Sequence, residues 1–185
     1  LIYWFKKFCD KVGKDKCVLI MHTDPNDPYG QPLEHLLQHF GANEGQIRIS
    51  KEKVLPEHLS AMYNIADCTI NVSDAEGFGL ATLESLSCGT PIIVTMTGGL
   101  QEQVTDGENW FGIGIEPSSK ALIGSQQVPY IFEDRIAESD VLEALEKMYD
   151  MKKEDREKLG EEGRAHVNKN YSFEGYQKKW VEVLD

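Results

Sequence analysis

Two carboxylates bracket a glycine turn in the segment Asp74-Ala75-Glu76-Gly77-Phe78-Gly79-Leu80-Ala81-Thr82-Leu83-Glu84. Glu76 stands just ahead of the turn, and Glu84 lies inside the helix that the turn opens. Gly77 and Gly79 let the backbone approach a ligand closely. The helix beginning near Leu80 directs unpaired N–H groups and the positive end of its dipole at the same spot. Such an arrangement suits a diphosphate or a polarised sugar hydroxyl. Glu76 can accept hydrogen bonds from hydroxyls beside the phosphate, and Glu84, more than a helical turn onward, reaches another part of the same ligand. From Gly77 to Leu100 the only charged side chain is Glu84, set among Leu80, Leu83, Leu86 and Cys88. A buried carboxylate there needs hydrogen-bond donors, because burial without them costs several kcal/mol. A solvated helix face is the plainer alternative.

The elements that position these groups alternate along the chain. Ile2, Phe5, Cys9 and Val12 recur at helical spacing before Gly13, and Cys17 to Met21 is an apolar run of strand length. Helical patterns follow at Pro32 to Phe40, Pro56 to Ala66, Leu80 to Cys88 and from Gly98-Gly99 through Val104. Strand patterns lie at Gln46 to Ser50, Asp67 to Val72 and Ile92 to Thr95. This alternation predicts βαβ units with right-handed crossovers, a doubly wound parallel α/β sheet. Gly112 to Glu138 is less regular, with a surface loop expected over Ser118 to Val128. Three helices are expected at Asp140 to Asp150, Lys153 to Lys169 and Phe173 to Leu184.

In open parallel sheets, ligands bind beyond the carboxyl ends of the strands. Four loops therefore form one candidate surface: His22 to Tyr29, Ser50 to Leu55, Ser73 to Gly79, and Thr95 to Gly99. A nicotinamide fingerprint is excluded, since Thr82 holds the third glycine position and Thr97 stands where an acid for the ribose belongs. A phosphate loop is excluded because the segment has no lysine.

With 185 residues the chain fits one domain, and its formal net charge of −12 argues against nucleic acid and against an anionic membrane surface. An anionic ligand must then be held by local donors. The scattered Cys9, Cys17, Cys68 and Cys88 lack a C-x2-C pair and point to a reducing, cytoplasmic setting. No apolar run approaches the ~20 residues that cross a bilayer. The opening Leu1-Ile2-Tyr3-Trp4-Phe5-Lys6-Lys7 has neither signal-peptide organisation nor an initial Met, so the chain is expected to be a piece of a longer protein.

Glu76 and Glu84 with seven residues between them, in EGFGLATLESLSCGTPIIVT followed by Gly98-Gly99, and preceded by Tyr63-Asn64-Ile65-Ala66-Asp67, carry a resemblance. The pattern is similar to the donor-binding half of retaining glycosyltransferases of family 4, which have the GT-B fold. It covers roughly residues 1 to 110 and the C-terminal helices. The resemblance implies one donor-binding domain over 1–185, with a Rossmann-like core to about residue 150 and terminal helices beyond it, lacking its first strand. Glu76 would be the catalytic-site residue that holds hydroxyls of the donor hexose. Gly77, Phe78, Gly79 and Leu80 would face the sugar and diphosphate, and Glu84 would bind the ribose hydroxyls. Ser50, Lys51 and Val54 would line the nucleobase, with His22 on the same edge.

Enzymes of this type transfer a hexose from a UDP- or GDP-sugar with retention, need neither metal nor cofactor, and work by positioning and by stabilising the leaving diphosphate. The acceptor would be a sugar, lipid or protein glycan, read by an N-terminal half that this sequence does not contain. An Arg and a Lys that clamp the diphosphate would also belong to the longer chain, so the isolated chain is expected not to turn over. Any peripheral membrane contact would be made through that other half. Rival readings are another GT-B enzyme, such as a sugar-nucleotide epimerase or a phosphorylase, and a non-catalytic nucleotide-sugar-binding module.

Other signals have plainer explanations. His35 and His39 beside Glu34 have zinc-like spacing but lack a third ligand, which favours a solvated helix face. Lys51 and Lys53 read as solvated loop charges, and Trp4, Phe5 and Phe8 as core.

Overall fold

The computed structural model describes residues 1–184 and opens on α1 (Ile2–Val12), whose Ile2, Phe5, Phe8 and Cys9 are buried along one stripe. The apolar run after Gly13 becomes β1 (Leu19–His22), followed by α2 (Leu33–His39) and β2 (Ile47–Ser50). α3 (Pro56–Ile65) begins on a proline, which suits the first helical position because its missing N–H would have no intrahelical partner. Next come β3 (Thr69–Asn71), α4 (Leu80–Ser87), β4 (Ile92–Thr95), α5 (Leu100–Val104) and β5 (Gly112–Ile115). The chain ends with β6 (Ser119–Ile123), β7 (Ile131–Arg135), α6 (Glu138–Asp150), α7 (Lys153–Asn170) and α8 (Phe173–Leu184).

The five strands β1 to β5 are parallel to their partners, as the alternation of elements predicts. β1 pairs with β2, with His22 opposite Ser50, and β4 sits between β3 and β5. All four residues of β4 are buried. Ile93 joins one apolar cluster with α1 and α6, while Ile92 and Val94 join a second with Leu86, Leu100 and Val167. Successive side chains of a strand point to opposite faces, so helices cover this sheet on both sides. Each such Ile or Val contributes about 1.5–3 kcal/mol by leaving water.

The sheet is divided in two. β1 and β3 each have a single hydrogen-bonded neighbour. A cavity of about 1340 Å³ is lined by Leu19 to His22 and by Cys68 to Ile70. Leu19 N donates to Gln46 O and Thr69 N to Pro91 O, so these residues turn towards β2 and β4. Ile20, His22 and Ile70, alternate in the ladder, turn their backbone groups the other way. Ile20 is 41% exposed, unusual for an apolar residue of an inner parallel strand.

The loop expected over Ser118 to Val128 is instead largely a hairpin, since β6 and β7 pair antiparallel from Ser119↔Arg135 to Ile123↔Ile131. Its strands are mostly exposed on both faces, so they lack the apolar alternation that would mark them in sequence. Docking supplies what periodicity lacks: Asp134 N donates to Asp74 O at 2.7 Å. At the other end of the chain, Trp180, Val181 and Leu184 on α8 are at least half exposed.

Candidate functional site

The turn from Glu76 to Gly79 is held by groups behind it. Gly79 adopts φ +89, a left-handed conformation that disfavours side chains, and caps the N-terminus of α4. Gln103, fully buried on α5, donates from Nε2 to Phe78 O at 2.6 Å and to Gly79 O at 3.1 Å. Thr82 Oγ1 donates to Gln103 Oε1 at 2.6 Å and lies 2.9 Å from Gly79 O. The Gly98-Gly99 turn lies against the same segment: a Cβ on Gly98 would sit 1.7 Å from Glu76 O. These two glycine turns are therefore packed backbone to backbone. A Cβ on Gly77, by contrast, would meet open space, leaving that face of the turn free.

Glu76 is half-buried, and Asn71 Nδ2 donates to its Oε2 at 3.4 Å. Asn71 is itself fixed, its Oδ1 accepting from Ser73 N at 3.1 Å and Ser73 Oγ at 2.6 Å. Phe78 is partly exposed, with its ring edge-on to Tyr171 at 5.9 Å between centroids. Leu80, the first residue of α4, is 68% exposed and turns its side chain to solvent.

Glu84 is exposed, which corrects the expectation of a buried carboxylate. The apolar neighbours in sequence point elsewhere: Leu86 is fully buried behind α4, whereas Leu80 is outside. A donor is nevertheless present, since Tyr63 OH on α3 donates to Glu84 Oε2 at 2.9 Å. Burial pushes the Tyr63 hydroxyl pKa well above its ordinary range, and the hydrogen bond to Glu84 and its negative charge push the same way.

On the neighbouring edge, His22 Nδ1 lies 3.0 Å from Ser50 Oγ, as their register at the ends of β1 and β2 allows. His22, Tyr63 and Glu84 all line the cavity that separates the two sheets. Lys51 is exposed and Val54 half-buried in the loop beyond β2, and no hydrogen bond or ion pair joins either to Glu76 or Glu84. The structure thus groups Glu76 with Gly77, Phe78 and Gly79, Glu84 with Tyr63, and His22 with Ser50.

Four contributors were not evident from sequence spacing: Asn71, Tyr63, Gln103 and Arg135. Arg135 comes from β7 and pairs with both Asp74 and Glu133. It anchors the hairpin beside the glycine turn, and its guanidinium is engaged by two carboxylates. Tyr63 could have been found from its position five residues before the Cys68 to Val72 run, and Asn71 from a polar amide at a strand end.

The family described as Glycosyl transferases group 1 matches residues 1–166. A D-inositol 3-phosphate glycosyltransferase of Paenarthrobacter aurescens (strain TC1) is 36% identical over 73 residues, which make up 38% of this chain and 18% of that protein. The matched segment therefore spans less than a fifth of the relative. Among solved structures, the C-terminal domain of a glycosyl transferase group 1 family protein (LpcC) from Francisella tularensis superposes with a TM-score of 0.65 at 20% identity. It covers 93% of this chain and 77% of that one. Anabaena HepE in complex with UDP-glucose gives a TM-score of 0.65 at 13% identity, over 98% of this chain and 52% of that one. At these identities the structural likeness shows the fold: the Rossmann-like C-terminal half of GT-B glycosyltransferases.

Proposed function

The chain belongs to the group 1 glycosyl transferases, and from that premise we propose that it binds the nucleoside diphosphate sugar from which a hexose is transferred with retention. The observation that carries this reading is the glycine turn after Glu76, braced from behind by Gln103 and open in front at Gly77, which opens the helix that carries Glu84. In this reading the free N–H groups at the start of α4 and the backbone of Gly77 to Gly79 receive the diphosphate, which explains how an acidic chain holds an anion. Glu76, oriented by Asn71, accepts hydrogen bonds from the hexose hydroxyls. Glu84, its carboxylate steered by Tyr63, accepts the two ribose hydroxyls. His22 and Ser50 face the base, with Lys51 and Val54 behind them. That HepE is crystallised with UDP-glucose supports a uridine nucleotide as the first candidate, with a guanosine nucleotide as the second.

Transfer needs little covalent work from this domain. Held hydroxyls fix the anomeric carbon, and oriented amides stabilise negative charge on the departing diphosphate without a bound metal. The acceptor sugar, lipid or protein glycan and the remaining cations that clamp the diphosphate belong to a longer, two-domain chain, which acts in the cytoplasm. The same reading accounts for the divided sheet: a strand preceding α1 in the longer chain lies between β1 and β3 and pairs with both.

The test is hexose transfer by the two-domain protein, with UDP- and GDP-hexoses as donors. Glu76→Gln is expected to lower turnover at least about tenfold while nucleoside diphosphate affinity stays within about twofold. Turnover equal to the wild type would overturn the assignment of Glu76.

A further inference from the structure

Away from the carboxyl edge, the end of α1 and the residues leading into β1 bring two thiols together. Cys9 Sγ and Cys17 Sγ lie 2.9 Å apart, about 0.9 Å beyond the length of a disulfide bond. No motif announces this pair, because the two residues are eight positions apart and separated by the Gly13 turn. Cys9 is fully buried, whereas Cys17 is half-buried and lines the cavity between the sheets. One sulfur is therefore reachable from solvent and the other waits directly behind it. No comparable sulfur contact is found for Cys68 or Cys88 among the described residues.

We propose that Cys9 and Cys17 are a thiol pair that closes to a reversible disulfide by exchange with a low-molecular-weight disulfide such as oxidised glutathione. In the first step Cys17, having lost its proton to solvent, attacks one sulfur of the oxidised glutathione, whose other half leaves as a thiolate and takes up a proton. In the second step the Cys9 sulfur, deprotonated in turn, attacks Cys17 Sγ in the mixed disulfide and expels the second glutathione. Two cysteine thiols are oxidised and one glutathione disulfide is reduced to two thiols, so electrons and protons balance. Burial pushes the Cys9 thiol up to about 12, which makes Cys17 the first attacker and the closing step the slower one.

The bridge ties the C-terminal end of α1 to the entry of β1, at the edge of the sheet opposite His22 and the glycine turn. Closure is expected to change stability and to leave the candidate site unchanged. It closes a short loop, which by restricting the unfolded chain raises Tm by about 5 °C.

The experiment exposes the folded protein to excess oxidised glutathione, then blocks free thiols by alkylation and measures intact mass and tryptic peptides. Lys11, Lys14 and Lys16 lie between the two cysteines, so a linked peptide pair is diagnostic. The expected result is the loss of two alkylatable thiols, a mass lower by two hydrogens before alkylation, a Cys9–Cys17 cross-link and reversal by reduced glutathione. Cys68→Ser is expected to keep this behaviour and Cys17→Ser to abolish it. Four thiols still free, a cross-link through Cys68 or Cys88, or a Cys17 adduct that retains glutathione would each overturn the proposal.

Discussion

Tyr63 and Glu84 are joined by a 2.9 Å hydrogen bond between α3 and α4, with the phenol donating to Oε2. One carboxylate oxygen is engaged and the carboxylate is thereby aimed into the cavity it shares with His22. Tyr63 thus acts on any ligand through Glu84. Tyr63→Phe removes this constraint without removing the ring. Nucleoside diphosphate affinity is expected to fall about 3–10-fold, the range of one hydrogen bond, measured by calorimetric titration.

The same bond sets an alkaline dependence. Because the folded-state pKa of Tyr63 is raised above its ordinary 10.0, folding binds the phenolic proton more tightly than the unfolded chain does. The associated stability is fully present below the unfolded value and is lost as pH rises from there through the folded one. Thermal midpoints between about pH 9 and about pH 11 are therefore expected to fall less steeply in Tyr63→Phe than in the wild type. Equal slopes would mean that Tyr63 ionises freely.

Gly98→Ala places a methyl group where Glu76 O now sits, 1.7 Å from the ideal Cβ, at a residue with φ +48. Neither backbone can yield without moving the glycine turn. A loss of about 2–4 kcal/mol in denaturant unfolding is expected, together with weaker nucleotide binding. Gly77→Ala meets open space in the protein, so it is expected to leave stability within about 0.5 kcal/mol and to impair only ligand binding.

Gln103→Leu keeps volume at a buried position but leaves Phe78 O without its side-chain donor and leaves the Thr82 hydroxyl only Gly79 O as acceptor. A destabilisation of about 1–3 kcal/mol is expected, read from urea unfolding. Amide exchange of the Glu76 to Gly79 turn is expected to accelerate in the same variant.

Hydrogen exchange also tests the divided sheet. In this chain the amides of Ile20, His22 and Ile70 face the cavity edge and are expected to exchange faster than those of Ile93 and Val94, which lie in a paired and buried strand. In the two-domain chain proposed above, the three are expected to become protected. Unchanged exchange would show that no strand pairs there.

Much of this was legible in the sequence because it rests on periodicity and on glycine. Ile92 to Thr95 is a continuous apolar run and is β4 residue for residue, and Pro56 marked the start of α3. The glycine turn and its two carboxylates were legible because few residue types permit so tight a backbone. The burial of Glu84 was misread, since apolar neighbours in sequence say nothing of which way a helix face turns: Leu86 packs inward and Leu80 outward on the same helix. The β6–β7 hairpin was hidden because Asp134 N and Arg135 hold it to the loop after β3, contacts across some sixty residues that leave no local pattern. Gln103 looked like any polar helical residue, and only packing shows what it holds.

Whether Glu84 binds the ribose of a nucleoside diphosphate is measured by calorimetric titration of the wild type and of Glu84→Ala with UDP and GDP. Because Glu84 is exposed, the substitution costs only its hydrogen bond from Tyr63, a Tm decrease of a few degrees, so affinity can be compared between folded proteins. Saturable binding of one nucleotide by the wild type and a loss of at least about tenfold in the variant are expected, as for hydrogen bonds to a charged group. Equal affinity in the two proteins, or no binding of either nucleotide by the folded wild type, would contradict that expectation.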